Sequence, residues 1–201
     1  MKNLKRLIVV GCLVLLLSGC KGNFTIKNKE INLLDGKHIV EMSIKNYGKV
    51  TLELDADVAP ITVTNFVDLA KSGFYDGKKI HRIDNDLGVI QGGEGLGNEA
   101  TIKGEFLANG VENDISHVRG VISMARAGSA SDGFDTASTQ FFIVTKDASA
   151  IDNYYAAFGK VTKGMNVIDK VTKKKVKTDE MGMILNEKDM PVIEYIKVVE
   201  E

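Results

Sequence analysis

Gly73-Phe74-Tyr75-Asp76-Gly77-Lys78-Lys79-Ile80-His81-Arg82-Ile83-Asp84-Asn85-Asp86-Leu87-Gly88-Val89-Ile90-Gln91-Gly92-Gly93 is the stretch on which the reading of this 201-residue chain turns. Its first glycine suits the position just past a helix C-terminus, where a left-handed backbone carries little penalty. Val89-Ile90-Gln91 reads as a short strand. Between them stands a single arginine, Arg82, and a lone arginine is by default half of a surface ion pair. The cluster Gly92-Gly93-Glu94-Gly95-Leu96-Gly97 follows a strand, as a dinucleotide loop would. But residues 98–104 do not continue as a helix and no βαβ unit surrounds them, so the cluster reads as a surface loop with positive φ angles.

Working outward, Val40, Met42 and Ile44 alternate, Asn46-Tyr47-Gly48 turns, and Val50, Leu52 and Leu54 alternate again, which predicts a β-hairpin. Residues 57–72 predict a helix, with Pro60 suited to a first helical position and Val63, Phe66, Val67 and Ala70 on one face. Downstream, strands are predicted at 120–125, 140–145, 156–161 and 192–199. A second short helix is predicted over 164–171 with Met165, Ile168 and Val171 inward. Many short strands, two short helices and 20 glycines predict a mainly β protein closed into an antiparallel barrel.

Conventional catalytic signatures are missing. None of the three histidines, His38, His81 and His117, has metal-ligand spacing, and there is no Gly-x-Ser-x-Gly elbow. A different set stands out. Gly73-Phe74-Tyr75-Asp76-Gly77, His81-Arg82-Ile83 and Gln91-Gly92-Gly93 come first. Ser123-Met124-Ala125-Arg126-Ala127-Gly128, Gln140-Phe141-Phe142-Ile143 and Phe158-Gly159-Lys160-Val161 follow in order. Together they resemble the cyclophilins, the peptidyl-prolyl cis/trans isomerases, from about His38 to the C-terminus. The resemblance implies an eight-stranded antiparallel β-barrel capped by two α-helices over residues 38–201. It implies X–Pro isomerisation of polypeptides, with neither a cofactor nor a metal, by a monomer.

Such a reaction needs no nucleophile. Rotation about X–Pro faces a resonance barrier of roughly 18–20 kcal/mol. An enzyme must hold the ring and the flanking backbone and favour the twisted amide, whose nitrogen regains a lone pair. A fixed cationic donor aimed at that lone pair stabilises only the transition state.

The resemblance places Arg82 as that donor, a rigid and permanently charged fork, and Gln91 as the residue that orients it. It implies that Val89, Phe142, Ile151 and Tyr155 form the proline pocket. It also implies that Ala125, Arg126, Ala127 and Gln140 hold the substrate backbone, the alanines from within a strand. The family usually writes an apolar residue, then x-Pro-Gly-Phe-Met, before its Gln-Gly-Gly. Residues 84–90 here are one longer and lack that Phe. Val89 falls at the Met position, Gly88 at the Phe position, and Leu87 is the side chain at hand to replace the ring. Tyr155 stands where His is frequent, and Ala150 where cyclosporin-sensitive members have Trp. The latter predicts weak cyclosporin binding.

At the N-terminus, Lys2, Lys5 and Arg6 precede an apolar run of 11 residues, Leu7 to Leu17. That is too short for a spanning helix, which needs about 20. With Leu17-Ser18-Gly19-Cys20 it predicts an export signal over 1–19 that resembles a lipobox, with Cys20 lipidated. Residues 20–37 are then the lipidated Cys and a polar tether. The expected location is the extracytoplasmic face of a cell membrane, held through lipid. Cys12 leaves with the signal, so no thiol or disulfide remains in the mature domain. Lys+Arg number 26 and Asp+Glu 27, and residues 1–19 carry three of the bases and none of the acids, which leaves the mature chain at −4. That balance argues against nucleic acid as a partner. The lysines at 173–175 and 177 read as a solvated loop. The expected function is assistance to the folding of exported polypeptides. The alternative is a catalytically weak Pro-peptide-binding module, a holdase or adhesin, motivated by the altered pocket floor.

Overall fold

A computed structural model describes residues 23–26, 29–97, 99–127 and 133–200. The expected signal and Cys20 lie outside the described residues. Within the expected tether, β1 (Asn23–Ile26) pairs antiparallel with β2 (Lys29–Asn32) in a two-stranded sheet of its own. A plain linker is therefore not what these residues form.

Next come β3 (Lys37–Ile44) and β4 (Gly48–Asp55), the hairpin the alternation predicts. Its turn places Asn46 at φ 67° and Gly48 at φ 125°. α1 (Pro60–Lys71) starts on its proline, three residues later than expected, and Gly73 beyond it has φ 73°. No side chain at its own N-cap satisfies the first turn. A carboxylate from far along the chain does so: Glu105 accepts from the amides of Ile61 (3.0 Å) and Thr62 (2.7 Å), closing two of the helix's orphan donors.

The remaining strands are β5 (Ile80–Asp84), β6 (Val89–Gly92), β7 (Val121–Met124), β8 (Phe141–Val144), β9 (Ala157–Lys163) and β10 (Ile193–Glu200). α2 (Met165–Thr172) follows β9 and buries Val167, Ile168 and Val171. The eight strands form one antiparallel sheet in the order β10-β3-β4-β9-β7-β8-β6-β5. The expected full closure is corrected here: β10 and β5 are the ends of a curled sheet, joined by a single bridge between Lys79 and Val192. Ile80 N–H donates to Pro191 O (2.8 Å) and Ile193 N–H to Lys78 O (2.7 Å) at this seam. Pro191 has no N–H to extend the ladder.

Two apolar clusters divide the sheet. The larger fills the concave side beneath the helices, where Phe66 packs on Tyr75, Phe141 and Phe158 at centroid distances of 5.0, 5.5 and 5.2 Å. Gly159 lets β4 and β9 approach there, since a Cβ on it would lie 2.4 Å from Glu53 O. The smaller cluster is Val89, Val121, Phe142, Val144, Ala148 and Ala157, with Leu87, Ile151 and Tyr155 against it.

Phe66 is fully buried against three other aromatic rings. Phe66→Ala should cost about 3–5 kcal/mol, read as a fall in the urea midpoint at unchanged slope. Leu96→Ala, at a side chain 87% exposed, should stay within about 0.5 kcal/mol.

Candidate active site

Direct cross-strand partners share one face of a sheet. In the ladders Arg82 lies opposite Gln91, Gln91 opposite Phe142, and Phe142 opposite Ser123. One row therefore crosses β5, β6, β8 and β7 and carries a cation, an amide and an aromatic ring in succession. The β5–β6 register shifts between Ile80 and Arg82. A bulge there re-aims the strand and sets Arg82 in the row.

On this row opens a pocket of about 180 Å³. Val89 and Phe142, both buried, line it from the strands, and Ile151 and Tyr155 line it from the loop after β8. The Phe142 and Tyr155 rings meet edge to face at 5.6 Å. Leu87 also lines the pocket and packs on the same cluster, so the turn contributes an aliphatic side chain to the wall. Asp84 Oδ1 forms that turn, accepting from the amides of Asp86 (3.0 Å) and Leu87 (2.8 Å).

The polar rim is a chain of hydrogen bonds. Arg82 Nε donates to Met181 O (2.7 Å), Nη1 to Gln91 Oε1 (3.2 Å) and Nη2 to Asp84 Oδ2 (2.7 Å). Gln91 Nε2 donates to Gln140 Oε1 (2.9 Å), which joins Gln140 to the chain, although it does not line the pocket. Arg82 is thus both an ion-pair partner and a pocket residue. Met181 belongs to a turn that the periodicity of the sequence did not announce. Thr178 pairs with Ile184, Met183 bridges to Arg82, and Ile83 N–H donates to Gly182 O (2.9 Å). Residues 178–184 therefore extend the sheet beyond β5.

The expectation that Ala125 and Ala127 continue a strand is corrected, because β7 ends at Met124. Ala125 N–H still donates to Gln140 O (2.9 Å) and its side chain lines the pocket. Ala127 is exposed and away from the lining. Arg126 lines the pocket, donates from Nε to Tyr154 O (2.9 Å), and lies over the rings of Tyr155, Phe134 and Phe106 at 5.0, 5.3 and 5.6 Å. Such cation–π contacts hold the guanidinium at the rim. Ala150 is exposed on a single turn of 3₁₀-helix, Ser149–Ile151.

Beneath the pocket lies a group that sequence reasoning missed. The His117 ring stacks on Phe142 at 5.8 Å and 20°. His117 Nδ1 is 2.7 Å from Asp152 Oδ1, and its Nε2 is 3.0 Å from Ser123 Oγ. Burial pushes the His117 pKa down, against the upward pull of Asp152. The ring is then neutral near pH 7, with Nδ1–H donating to the carboxylate and Nε2 accepting from the hydroxyl. Asp152 is pushed up by its own burial, but donation from the Ser116 hydroxyl, the His117 amide and the His117 ring holds it below the usual carboxylate range. Serine, histidine and aspartate in a line suggest a nucleophile, yet Ser123 is 0% and His117 1% exposed. No substrate reaches that hydroxyl, and the group instead supports Phe142 and, through Asp152, the loop bearing Ile151 and Tyr155. Residue types alone hint at it, but spacing does not.

An apolar pocket with a fixed cation on its rim, opening beside the side-chain amides of Gln91 and Gln140, has the shape and chemistry to take a small ring carried on a polypeptide. A sequence model of the cyclophilin type peptidyl-prolyl cis-trans isomerase/CLD family matches residues 39–198. Peptidyl-prolyl cis-trans isomerase A of Dickeya dadantii is 36% identical over 160 residues, covering 77% of this chain and 81% of its own. A peptidyl-prolyl cis-trans isomerase of Acinetobacter baylyi is 38% identical over 163 residues with the same coverage, 77% and 81%. The crystal structure of a Cryptosporidium parvum cyclophilin type isomerase superposes with TM-score 0.68 at 23% identity, covering 83% of this chain and 99% of that one. A second structure of that protein, obtained in the presence of the dipeptide Ala-Pro, has TM-score 0.67. The chain belongs to the cyclophilin family and is a cyclophilin-type peptidyl-prolyl cis-trans isomerase.

Burial holds the pKa values of His81 and His117 below their ordinary 6.5. Between those lowered values and 6.5 the unfolded chain binds more protons than the folded one. Stability is therefore lost as pH falls below about 6.5. Burial of Glu105 raises its pKa, which acts in the opposite sense above its ordinary value of 4.5. The His117 share is isolated by comparing the urea midpoint at about pH 7.5 and pH 5.5. His117→Gln should shrink the drop seen in the parent protein.

Proposed function

We propose that Arg82 is the catalytic donor of this isomerase, with Gln91 fixing its plane. The proline ring of the substrate enters between Val89, Phe142, Leu87, Ile151 and Tyr155. The observation that carries this is the guanidinium anchored through all three nitrogens at the lip of that pocket. Three N–H groups are committed to those acceptors, and the second N–H on Nη1 and on Nη2 is left over. A donor so placed costs little reorganisation when the amide twists and the prolyl nitrogen regains its lone pair. An acceleration of about 10⁵ requires only about 7 kcal/mol, within reach of preorganised hydrogen bonding and apolar ring binding. The flanking substrate backbone lies along Ala125, Arg126, Ala127 and Gln140.

The site serves exported polypeptides outside the cytoplasm. In this reading residues 1–19 are removed, Cys20 carries lipid, and the monomeric domain over 38–201 stands at the membrane on the segment before it. Slow X–Pro steps leave emerging chains open to aggregation, and a tethered isomerase meets them there. The support is the cationic, apolar and small-residue order of residues 1–20.

In a proline-isomerisation assay on the chain from Lys21 onward, Arg82→Ala should lower kcat/KM by about 10²–10³ while Pro-peptide binding survives. Absence of activity in both proteins, with binding intact, would instead make this a binding module. Cys20→Ser should move the protein from the membrane fraction to the soluble one. Cyclosporin should bind more weakly than to members with Trp at the Ala150 position, and Ala150→Trp should tighten it.

A further inference from the structure

Asp84 stands directly after the Arg82-Ile83 pair at the end of β5, and both of its oxygens are in use. Oδ2 accepts from Arg82 Nη2 at 2.7 Å. Oδ1 accepts from the amides of Asp86 and Leu87 at 3.0 and 2.8 Å. The pair is poorly exposed, at 23% for the Arg82 side chain and 13% for Asp84, so solvent screens it less than an ordinary surface pair. Asp84 also ends β5 opposite Val89, the first residue of β6 and part of the pocket floor. One carboxylate thereby touches the donor and the turn that delivers Leu87, while the backbone of the same residue pairs with Val89.

We propose that Asp84 is a positioning residue for the isomerisation: it locks the plane of the Arg82 guanidinium through Oδ2 and holds Leu87 in the proline pocket through Oδ1. The inference rests on Arg82 being the donor. A nearby carboxylate also tempers the positive potential at the pocket, which opposes catalysis. Orientation outweighs this, because a guanidinium held only at Nε by Met181 O and at Nη1 by the longer bond to Gln91 can tilt, and then presents its spare N–H groups to the prolyl nitrogen only part of the time. A misplacement of about 1 Å can cost about 10²-fold in rate.

The two oxygens allow the two roles to be separated. Asp84→Asn keeps an acceptor for the turn amides but loses the charge and points an NH₂ or a neutral oxygen at Arg82. Asp84→Glu keeps a carboxylate within reach of Arg82, but its longer arm does not fit the turn that closes two residues on. The experiment measures the catalysed rate at saturating Pro-peptide, the peptide Kd by titration and the thermal midpoint, for the parent, both Asp84 variants and Arg82→Ala.

Asp84→Asn should lower the saturated rate by about tenfold with Kd within about twofold. Asp84→Glu should weaken Kd by about threefold or more while keeping most of the rate, as expected from a lost apolar contact. An unchanged or faster rate in Asp84→Asn, with Arg82→Ala inactive, overturns the role of Asp84 and leaves the donor standing. Rate and affinity falling together in both variants, in step with the thermal midpoint, reduce Asp84 to a structural part and also overturn it. A fully active Arg82→Ala removes the donor itself, and the positioning role with it.

Discussion

A guanidinium can rest at the lip of an apolar pocket only if its N–H groups find acceptors, because stripping water from an unpaired charge costs several kcal/mol. In this protein each nitrogen of Arg82 finds one, and the three acceptors come from separate places. Gln91 lies across the β5–β6 ladder, Asp84 is two residues on in the same strand, and the Met181 carbonyl arrives from a turn 99 residues later. The turn that brings this carbonyl also bridges to β5, so residues 178–184 lie along the sheet beyond β5 before the seam at Val192 is reached.

The apolar half of the site has the reverse problem, a large ring on the outer face of a sheet with no helix over it. Phe142 is nonetheless buried. The solution is a polar assembly used as packing: the flat face of a neutral imidazole lies under the ring, and its two nitrogens are satisfied by Asp152 and Ser123. A fully satisfied buried network rigidifies what it touches. Here it touches the floor of the pocket and, through Asp152, the loop that supplies its far wall.

Much of this was legible along the chain, and what was not shares a cause. Val40 to Leu54 alternate cleanly, and Pro60 and Gly73 punctuate a helix, so β3, β4 and α1 follow from local periodicity. Val89, Phe142, Ile151 and Tyr155 were placed in one pocket by resemblance, and the geometry brings them together. β5 escaped, because Ile80-His81-Arg82-Ile83-Asp84 mixes apolar and charged residues around a bulge that breaks the period of two. The β1–β2 hairpin escaped because its short strands lie in a polar stretch of Lys and Asn that reads as a tether. Periodicity is also blind to contacts between distant residues. The clasp of Met181 on Arg82, the seat of His117 under Phe142 and the cap of Glu105 on α1 all span tens of residues.

A pocket wall that includes Leu87, a side chain carried on a turn, has consequences beyond the shape of the pocket. A wall residue set in a strand is held by the ladder on both sides, whereas one on a turn depends on whatever closes that turn. Here the closing group is Asp84, which also pairs with Arg82, so ring binding and donor alignment share one anchor. Motion of the 85–88 turn that loosens the grip on a proline ring must also disturb the donor, and a ring seated against Leu87 must steady it. On the proposed reading, the turn that bears Leu87 and the guanidinium of Arg82 hang from the two oxygens of one carboxylate, and a substrate that fills the pocket poorly loses both ring contact and donor alignment.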